Sequence, residues 1–462
     1  MNKTEQLRGL PSVDEVLRLD EIVQLKSSCA HQSLVLWARE AIDAQRSLIL
    51  ANDSHRESAD VISAITADIL GRVDADSGQS LQRVINATGI MLHTNLGRAP
   101  LSQRAIKRVE TATAFTNVEL DLQSGKRAKR GQRVMELLAQ LTGAQDAVVV
   151  NNCAAATMLV LQAVAGGKEV IISRGQLVEI GGGFRLPRVF EAAGVVLREV
   201  GTTNRTYVRD YEEAINEETG AMMRVHHSNY RLSGFVTEPS IAELIASQRP
   251  DAMPVIDDVG SGCVTDLSAV GVQDPNVIQS VAAGADVTLF SGDKLFGGPQ
   301  AGIIVGKKIW IDKIRKNPMM RAMRVDKMTL AALEATAEIH LAGKAAEELP
   351  LMKMLFKQPS DIQASCQAVV AKLSDAGQAK LEVVESESQV GGGSVPGVGI
   401  DSFAIRISNC KVDELARNLR TSETPIQGRV SDDSLWLDLR TVADEELDAL
   451  TECLAAALGS LA

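Results

Sequence analysis

The chain has 462 residues, a formal net charge of −11 and a hydrophobic fraction of 45%. That length supports roughly two to four domains with a large core. The acidic balance argues against a generic nucleic-acid coat and leaves any RNA contact to local patches. Six cysteines, at positions 29, 153, 263, 366, 410 and 453, are scattered without a Cys-x-x-Cys pair. Neither a disulfide framework nor a zinc site is expected, and the thiols suit a reducing, cytoplasmic setting. Residues Met1 to Gln6 lack the basic-then-apolar layout of a signal peptide, and no apolar run reaches membrane-spanning length.

Residues 1–70 are expected to form a small helical module. Leu34, Trp37, Ala38, Ala41 and Ile42 recur at helical spacing, as do Ile62, Ile65 and Ile69. Ser54 is placed to cap the second helix, with Glu57 completing a capping box. Residues 1–72 carry eight Lys/Arg against eleven Asp/Glu, so the module is slightly acidic, and packing or dimerisation is its plainest use. Residues 71–90 are expected to act as a linker, from the Gly/Asp/Ser-rich run at 71–80.

Beyond Val84 the pattern changes to strand-like runs between helical stretches. The runs fall at 147–150, 169–172, 195–200, 221–226, 254–257, 286–290 and 302–306. This alternation predicts an α/β domain, 91–345, with a mainly parallel sheet buried on both faces. A helix over about 328–345 leads out of it. Residues 346–462 predict a smaller α+β domain with strands at 403–407 and 435–440, and Gly391-Gly392-Gly393-Ser394 as one of its turns.

Chemistry concentrates at the ends of the predicted strands. Ser291-Gly292-Asp293-Lys294 follows the run at 286–290 and is bounded by glycines. A lysine held there and desolvated can lose its proton and attack an aldehyde, which fits a Schiff base with pyridoxal 5'-phosphate. A solvated loop lysine is the bland alternative, and it yields because other parts of such a site occur upstream. Asn152-Cys153-Ala154 opens a helix of small residues after a strand, and a helix N-terminus attracts phosphate. Cys153 is read as a turn residue rather than a nucleophile. Asp257 and Asp258 close another strand. Asp258, beside the Gly260-Ser261-Gly262 turn, is the favoured carboxylate for a pyridinium nitrogen. Asn229, after the run at 221–226, is the candidate for the cofactor's 3-oxygen. The neighbouring His226 and His227 point to opposite faces of an extended chain, so no metal site is expected. Two basic segments stand out in this acidic chain. Residues 98–133 carry nine Lys/Arg against three acids, and 311–327 carry six against two. They suggest an anionic substrate, although a solvated helix face is the ordinary fate of such runs.

Several motifs together resemble bacterial selenocysteine synthases, the L-seryl-tRNA(Sec) selenium transferases, over nearly the whole chain. They are Ile85-Asn86-Ala87-Thr88-Gly89, His93-Thr94-Asn95-Leu96-Gly97-Arg98-Ala99, the stretch from Ser173 to Gly182, Glu199 to Thr206, Ser291 to Lys294, Arg321 to Thr336, and Leu435 to Arg440. The resemblance implies a fold type I, aminotransferase-like enzyme that uses pyridoxal phosphate. It puts the Schiff-base lysine at Lys294, an acid assisting proton transfer at Asp293, and the arginines around an anionic selenium donor, selenophosphate, at Arg98, Arg130, Arg321 and Arg324. It also implies an amino-terminal domain that grips seryl-tRNA(Sec), and a homodecamer built as a pentamer of dimers. The chain departs from the family pattern at Cys153, where asparagine is usual, at Val259, where leucine is usual, and at Gln176, where glutamate is usual.

The reaction so implied removes the serine hydroxyl by β-elimination and adds selenium from selenophosphate. General-acid help for the poor leaving group is expected from Asp293 and Lys294. A pyridoxal-phosphate lyase acting on a small amino acid or amino-sugar phosphate is the nearest rival. An RNA-binding assembly protein with a vestigial cofactor site is a second, which the joint presence of Asp258, Asp293 and Lys294 argues against.

Overall fold

The computed structural model describes residues 3–51, 58–77, 81–181, 183–373 and 379–461. It divides into two compact units, Met1–Arg83 and Val84–Ala462. The first unit is helical. Helix α1 (His31–Ala51) buries Leu34, Ala38, Ala41, Ile42 and Ile49, and α2 (Ser58–Ser77) adds Val61, Ile65 and Ile69 to the same core. Trp37 packs at its edge. The apolar stripe therefore falls where the helical period requires. Arg72 on α2 bonds both Asp68 and, across to α1, Glu40. Ser54 and Glu57, the expected capping pair, lie outside the described residues.

In the second unit, all seven strand-like runs enter one sheet. They are β1 (Asp146–Val150), β2 (Glu169–Ser173), β3 (Val196–Val200), β4 (Thr219–Val225), β5 (Val255–Gly260), β6 (Val287–Ser291) and β7 (Gly302–Gly306). Their order is β1-β7-β6-β5-β4-β2-β3. The pairs from β3 through β6 are parallel. β7 runs antiparallel to both β6 and β1. Strands β6 and β7 are buried at every position, as a sheet covered on both faces demands. Helix α5, numbered after α3 (Gln103–Thr113) and α4 (Gln132–Thr142), spans Cys153–Ala165 and is apolar nearly all round. It packs on one face against Ile172, Met223, Ile256 and Leu289. On the other face Val134, Leu138, Val149, Phe290 and Ile303 meet Leu333 and Ala337 of α6 (Lys327–Leu341).

The carboxyl-terminal part holds a second sheet. Strands β8 (Lys380–Gly391), β9 (Ser394–Ser408), β10 (Arg429–Ser431) and β11 (Ser434–Asp438) run in the order β8-β9-β11-β10. The two strands expected from sequence pair directly, with Ile405 opposite Leu437. Gly391, Gly392 and Gly393 make the β8–β9 turn with φ of 73°, 64° and 73°, a left-handed run that glycine alone adopts readily.

The expected linker at 71–90 differs in the structure. Its start is the end of α2, which runs to Ser77. Its end is a short strand, Ile85–Asn86, paired in parallel with Ile426–Gln427, and Ile85 and Ala87 are buried in the carboxyl-terminal core. The polar run of small residues resembles a linker in composition, but helix propagation continues through part of it.

Candidate active site

The β6–β7 connection, Gly292 to Ala301, carries Lys294. It is closed on itself by Gly292 N–H to the Ala301 carbonyl (2.9 Å) and Gly298 N–H to the Gly292 carbonyl (2.8 Å). Leu295 N–H donates to the Ser261 carbonyl at 2.8 Å, tying this loop to the turn after Asp258. The result is a cavity of about 230 Å³ at the carboxyl ends of the strands. Its lining includes Lys294, Asp258, Asp293, Ser291, Arg98 and the residues Asn152, Cys153 and Ala154. Parallel α/β sheets place ligand sites at this edge.

Asp257 and Asp258 point to opposite faces, as adjacent strand residues must. Asp257 takes Arg224 at 2.9 Å and the Ser280 hydroxyl at 2.6 Å. Asp258 faces the cavity, where Thr157 donates to one carboxylate oxygen at 3.2 Å and the Cys153 thiol lies 3.9 Å from the other. Burial pushes the Asp258 carboxyl up to about 7, against the opposing pull of the Lys294 charge and the Thr157 hydroxyl. Burial also holds the Lys294 amine below the ordinary lysine range, and the Arg98 charge adds to this. Both effects follow from taking a charge out of water. Cys153 is half-buried, and its desolvation beside the Asp258 charge raises its thiol well above the usual range and keeps it neutral. This is the behaviour of a structural thiol rather than a nucleophile.

Arg98 bonds Asp293 at 2.9 Å and sits at a left-handed φ of 62°. Such a backbone costs on the order of 1–3 kcal/mol outside glycine and persists only where surroundings enforce it. Here Ala99 N–H donates to the Asp293 carbonyl at 3.3 Å, so backbone and side chain both tie the Arg98 segment to the lysine loop.

Asn229 is not brought into the cavity. It is exposed, and its amide donates to the Glu179 carbonyl at 2.7 Å. Ser228 and His226 line the cavity instead. Ser228 is 3% exposed, and its hydroxyl, like His226 Nδ1, is buried without a hydrogen-bond partner. Burial pushes His226 down to about 4. The β8–β9 turn also went unrecognised as part of the site: Lys294 Nζ donates to the Gly393 carbonyl at 3.4 Å. Gln176, at a departure from the family pattern, is buried and accepts from Val225 N–H at 3.0 Å, which fixes the strand end leading to His226.

The four expected arginines divide between two cavities. Arg98 lines the lysine cavity, whereas Arg130, Arg321 and Arg324 line a larger one of about 710 Å³. The backbone between them is shared. Asn151 N–H donates to the Met323 carbonyl at 2.9 Å and Val150 bridges Arg324, while the next residue, Asn152, lines the lysine cavity.

The lysine cavity fits pyridoxal phosphate on its own chemistry. It offers an amine, a buried carboxylate, orphaned hydroxyl and imidazole atoms, and the start of a 13-residue helix. Asn152 caps that helix by accepting from Ala155 N–H at 2.9 Å, and first-turn N–H groups have no intrahelical acceptor. With the strand order and its one antiparallel member, these features are those of a pyridoxal-phosphate-dependent enzyme of the aminotransferase-like fold, fold type I. The profile of the L-seryl-tRNA selenium transferase family matches residues 84–443, and the chain belongs to that family. It is 42% identical over 449 residues to the L-seryl-tRNA(Sec) selenium transferase of Carboxydothermus hydrogenoformans, covering 96% of each chain. It is 42% identical over 453 residues to that of Geobacter sulfurreducens, covering 96% of this chain and 98% of the relative. Among solved structures, D-glucosaminate-6-phosphate ammonia-lyase superposes with a TM-score of 0.56 at 21% identity, over 84% of this chain and 98% of the other. That likeness is one of fold.

Proposed function

We propose that this chain converts L-seryl-tRNA(Sec) to L-selenocysteinyl-tRNA(Sec), with selenophosphate as the selenium donor. The observation that carries the reading is a buried lysine and a buried carboxylate sharing one cavity in a member of this family. Pyridoxal phosphate, when bound, supplies an electron sink for the electrons released with the seryl α-proton. Lys294, desolvated and biased toward the neutral amine, is the group that attaches it. Asp258 would meet the ring nitrogen, and Asn152, Cys153 and Ala154 would hold the phosphate. Ser291 packs at the base of the lysine loop. The α-hydrogen and the β-hydroxyl are lost as one water; selenophosphate then adds through its selenium to the β-carbon, a proton returns to the α-carbon, and hydrolysis of the Se–P bond releases orthophosphate. Lys294 accepts and returns the proton, and Asp293, oriented by Arg98, assists departure of the hydroxyl.

Arg130, Arg321 and Arg324 form the basic cavity for the anionic donor. Arg98 lines the adjoining cavity, and in this reading a neighbouring copy completes the site that uses all four arginines. This suits a homo-oligomer assembled from dimers, a decamer in this reading. The amino-terminal unit grips the tRNA, and the enzyme works in the cytoplasm. Among the described residues no helix is long and apolar enough to cross a membrane. A lyase acting on a small amino acid or amino-sugar phosphate would need the same lysine but no tRNA. The test is incubation of the purified protein with seryl-tRNA(Sec) and radiolabelled selenophosphate. Label recovered on the aminoacyl-tRNA, dependent on Lys294, is the expected result. Ammonia release from an amino-sugar phosphate without labelled tRNA would install the rival.

A further inference from the structure

Among the described residues, one acid of the larger cavity touches Arg130 and Arg324. Glu119 lies in the connection between α3 and α4, on a short hairpin in which Ala128 N–H donates to the Glu119 carbonyl at 2.9 Å. One carboxylate oxygen accepts from Arg127 at 2.8 Å. The other lies 3.5 Å from Arg324 and 3.7 Å from Arg130. The remaining acids of the lining have other partners within it, Arg315 for Asp146 at 2.8 Å and the Gln132 amide for Glu136 at 2.8 Å. The arginines keep unused capacity. Arg130 Nε is buried without a partner while its Nη2 donates to the Val325 carbonyl at 2.9 Å, and among the described residues the Arg321 guanidinium makes no ion pair or hydrogen bond, its backbone N–H alone donating to the Pro318 carbonyl at 3.2 Å. Contacts of 3.5–3.7 Å satisfy charge but are longer than a guanidinium–carboxylate hydrogen bond.

We propose that Glu119 is a specificity-determining residue of this cavity, a resident carboxylate that an incoming anion must displace from Arg324 and Arg130. A free carboxylate or a monovalent anion offers these arginines no more than Glu119 already does. A tetrahedral oxyanion with two charges offers a second charge and further oxygens, enough to engage Arg321 and the unspent Arg130 N–H. Glu119 therefore sets a threshold that admits phosphate-like dianions and rejects carboxylates. The proposal rests on the reading that these arginines receive the donor.

The test uses the full-length, cofactor-loaded protein, with inorganic phosphate and acetate as probes in calorimetric titrations at low ionic strength. E119Q and E119A should each bind phosphate roughly fivefold more tightly than the unaltered protein, the range that screened ion pairs give. Acetate, which the resident carboxylate keeps out, should become measurable in both variants, since the displacement threshold is gone. Adding R324A to E119Q should cancel the gain. Unchanged absorbance of the bound cofactor confirms that each variant is folded. Phosphate affinity equal to or weaker than that of the unaltered protein in both single variants, with acetate still not bound, would overturn the proposal and leave Glu119 as scaffold. A gain for phosphate with no change in the selenophosphate KM would uphold the role of Glu119 as the threshold and remove the donor from this cavity.

Discussion

Asp258→Asn in the cofactor-free protein isolates what the site costs the fold. Asp258 is 9% exposed, and burial raises its carboxyl from 3.8 to about 7. The folded protein therefore binds this proton more tightly than the unfolded chain does. The associated stability is fully present below the unfolded value and is lost as pH rises through the folded value. At 1.36 kcal/mol per pKa unit, the ionised group costs up to roughly 4 kcal/mol above pH 7. Asparagine keeps the shape and the Thr157 contact but never ionises. Cofactor-free D258N should thus be the more stable protein at pH 8, and its advantage should shrink between pH 7 and pH 5. Urea unfolding of both proteins across that window measures the difference. With the cofactor bound, the cationic ring nitrogen compensates the carboxylate, and D258N should lose most of its turnover. Equal stability of the cofactor-free proteins at pH 8, or a difference independent of pH, would refute the reasoning.

Lys294→Ala should abolish both the absorbance of the lysine-bound cofactor and turnover, measured by spectrophotometry and by product formation, because among the described residues no second lysine lines the cavity. Removal of residues 1–83 should weaken seryl-tRNA(Sec) binding in gel-shift assays while the cofactor stays bound; equal tRNA affinity would reassign the unit to packing. Arg324→Ala should raise the KM for selenophosphate and spare cofactor binding, read from steady-state kinetics at saturating seryl-tRNA(Sec). Gly392→Ala adds a Cβ 2.6 Å from the Leu92 carbonyl oxygen at a φ of 64°. It should destabilise the fold by about 1–3 kcal/mol and loosen cofactor binding, both measurable by thermal unfolding with and without pyridoxal phosphate.

The large sheet was legible because its strands are short apolar runs rich in β-branched residues, separated by helical lengths, a pattern that permits few other folds. Lys294 and Asp258 could be located because each follows or closes such a run, and strand ends converge at one sheet edge. That Ser228, and not the expected Asn229, faces the cavity could not be read in the same way. One step along the chain past the end of β4 turns a side chain from the cavity to solvent, and no composition signal marks that point. The basic segments showed charge but not which cavity each arginine enters, since that depends on how the stretch after β7 returns to β1. The role of Gly391–Gly393 was hidden for a related reason. A glycine-rich turn has the same local signature whether it faces water or a lysine far away in sequence.

That turn has a consequence for how the protein is made. Domains emerging from the ribosome tend to fold as units, amino-terminal parts first, yet this unit cannot finish in that order. The strand at Ile85–Asn86 waits for Ile426–Gln427, and the lysine cavity waits for the hairpin that brings Gly393 to Lys294. Pairings of such long sequence separation form slowly. During synthesis the reactive amine is thus left without its last wall until the carboxyl-terminal sheet is complete. Capture of the cofactor then becomes a late checkpoint, a chemical sign that the whole second unit has been translated and closed.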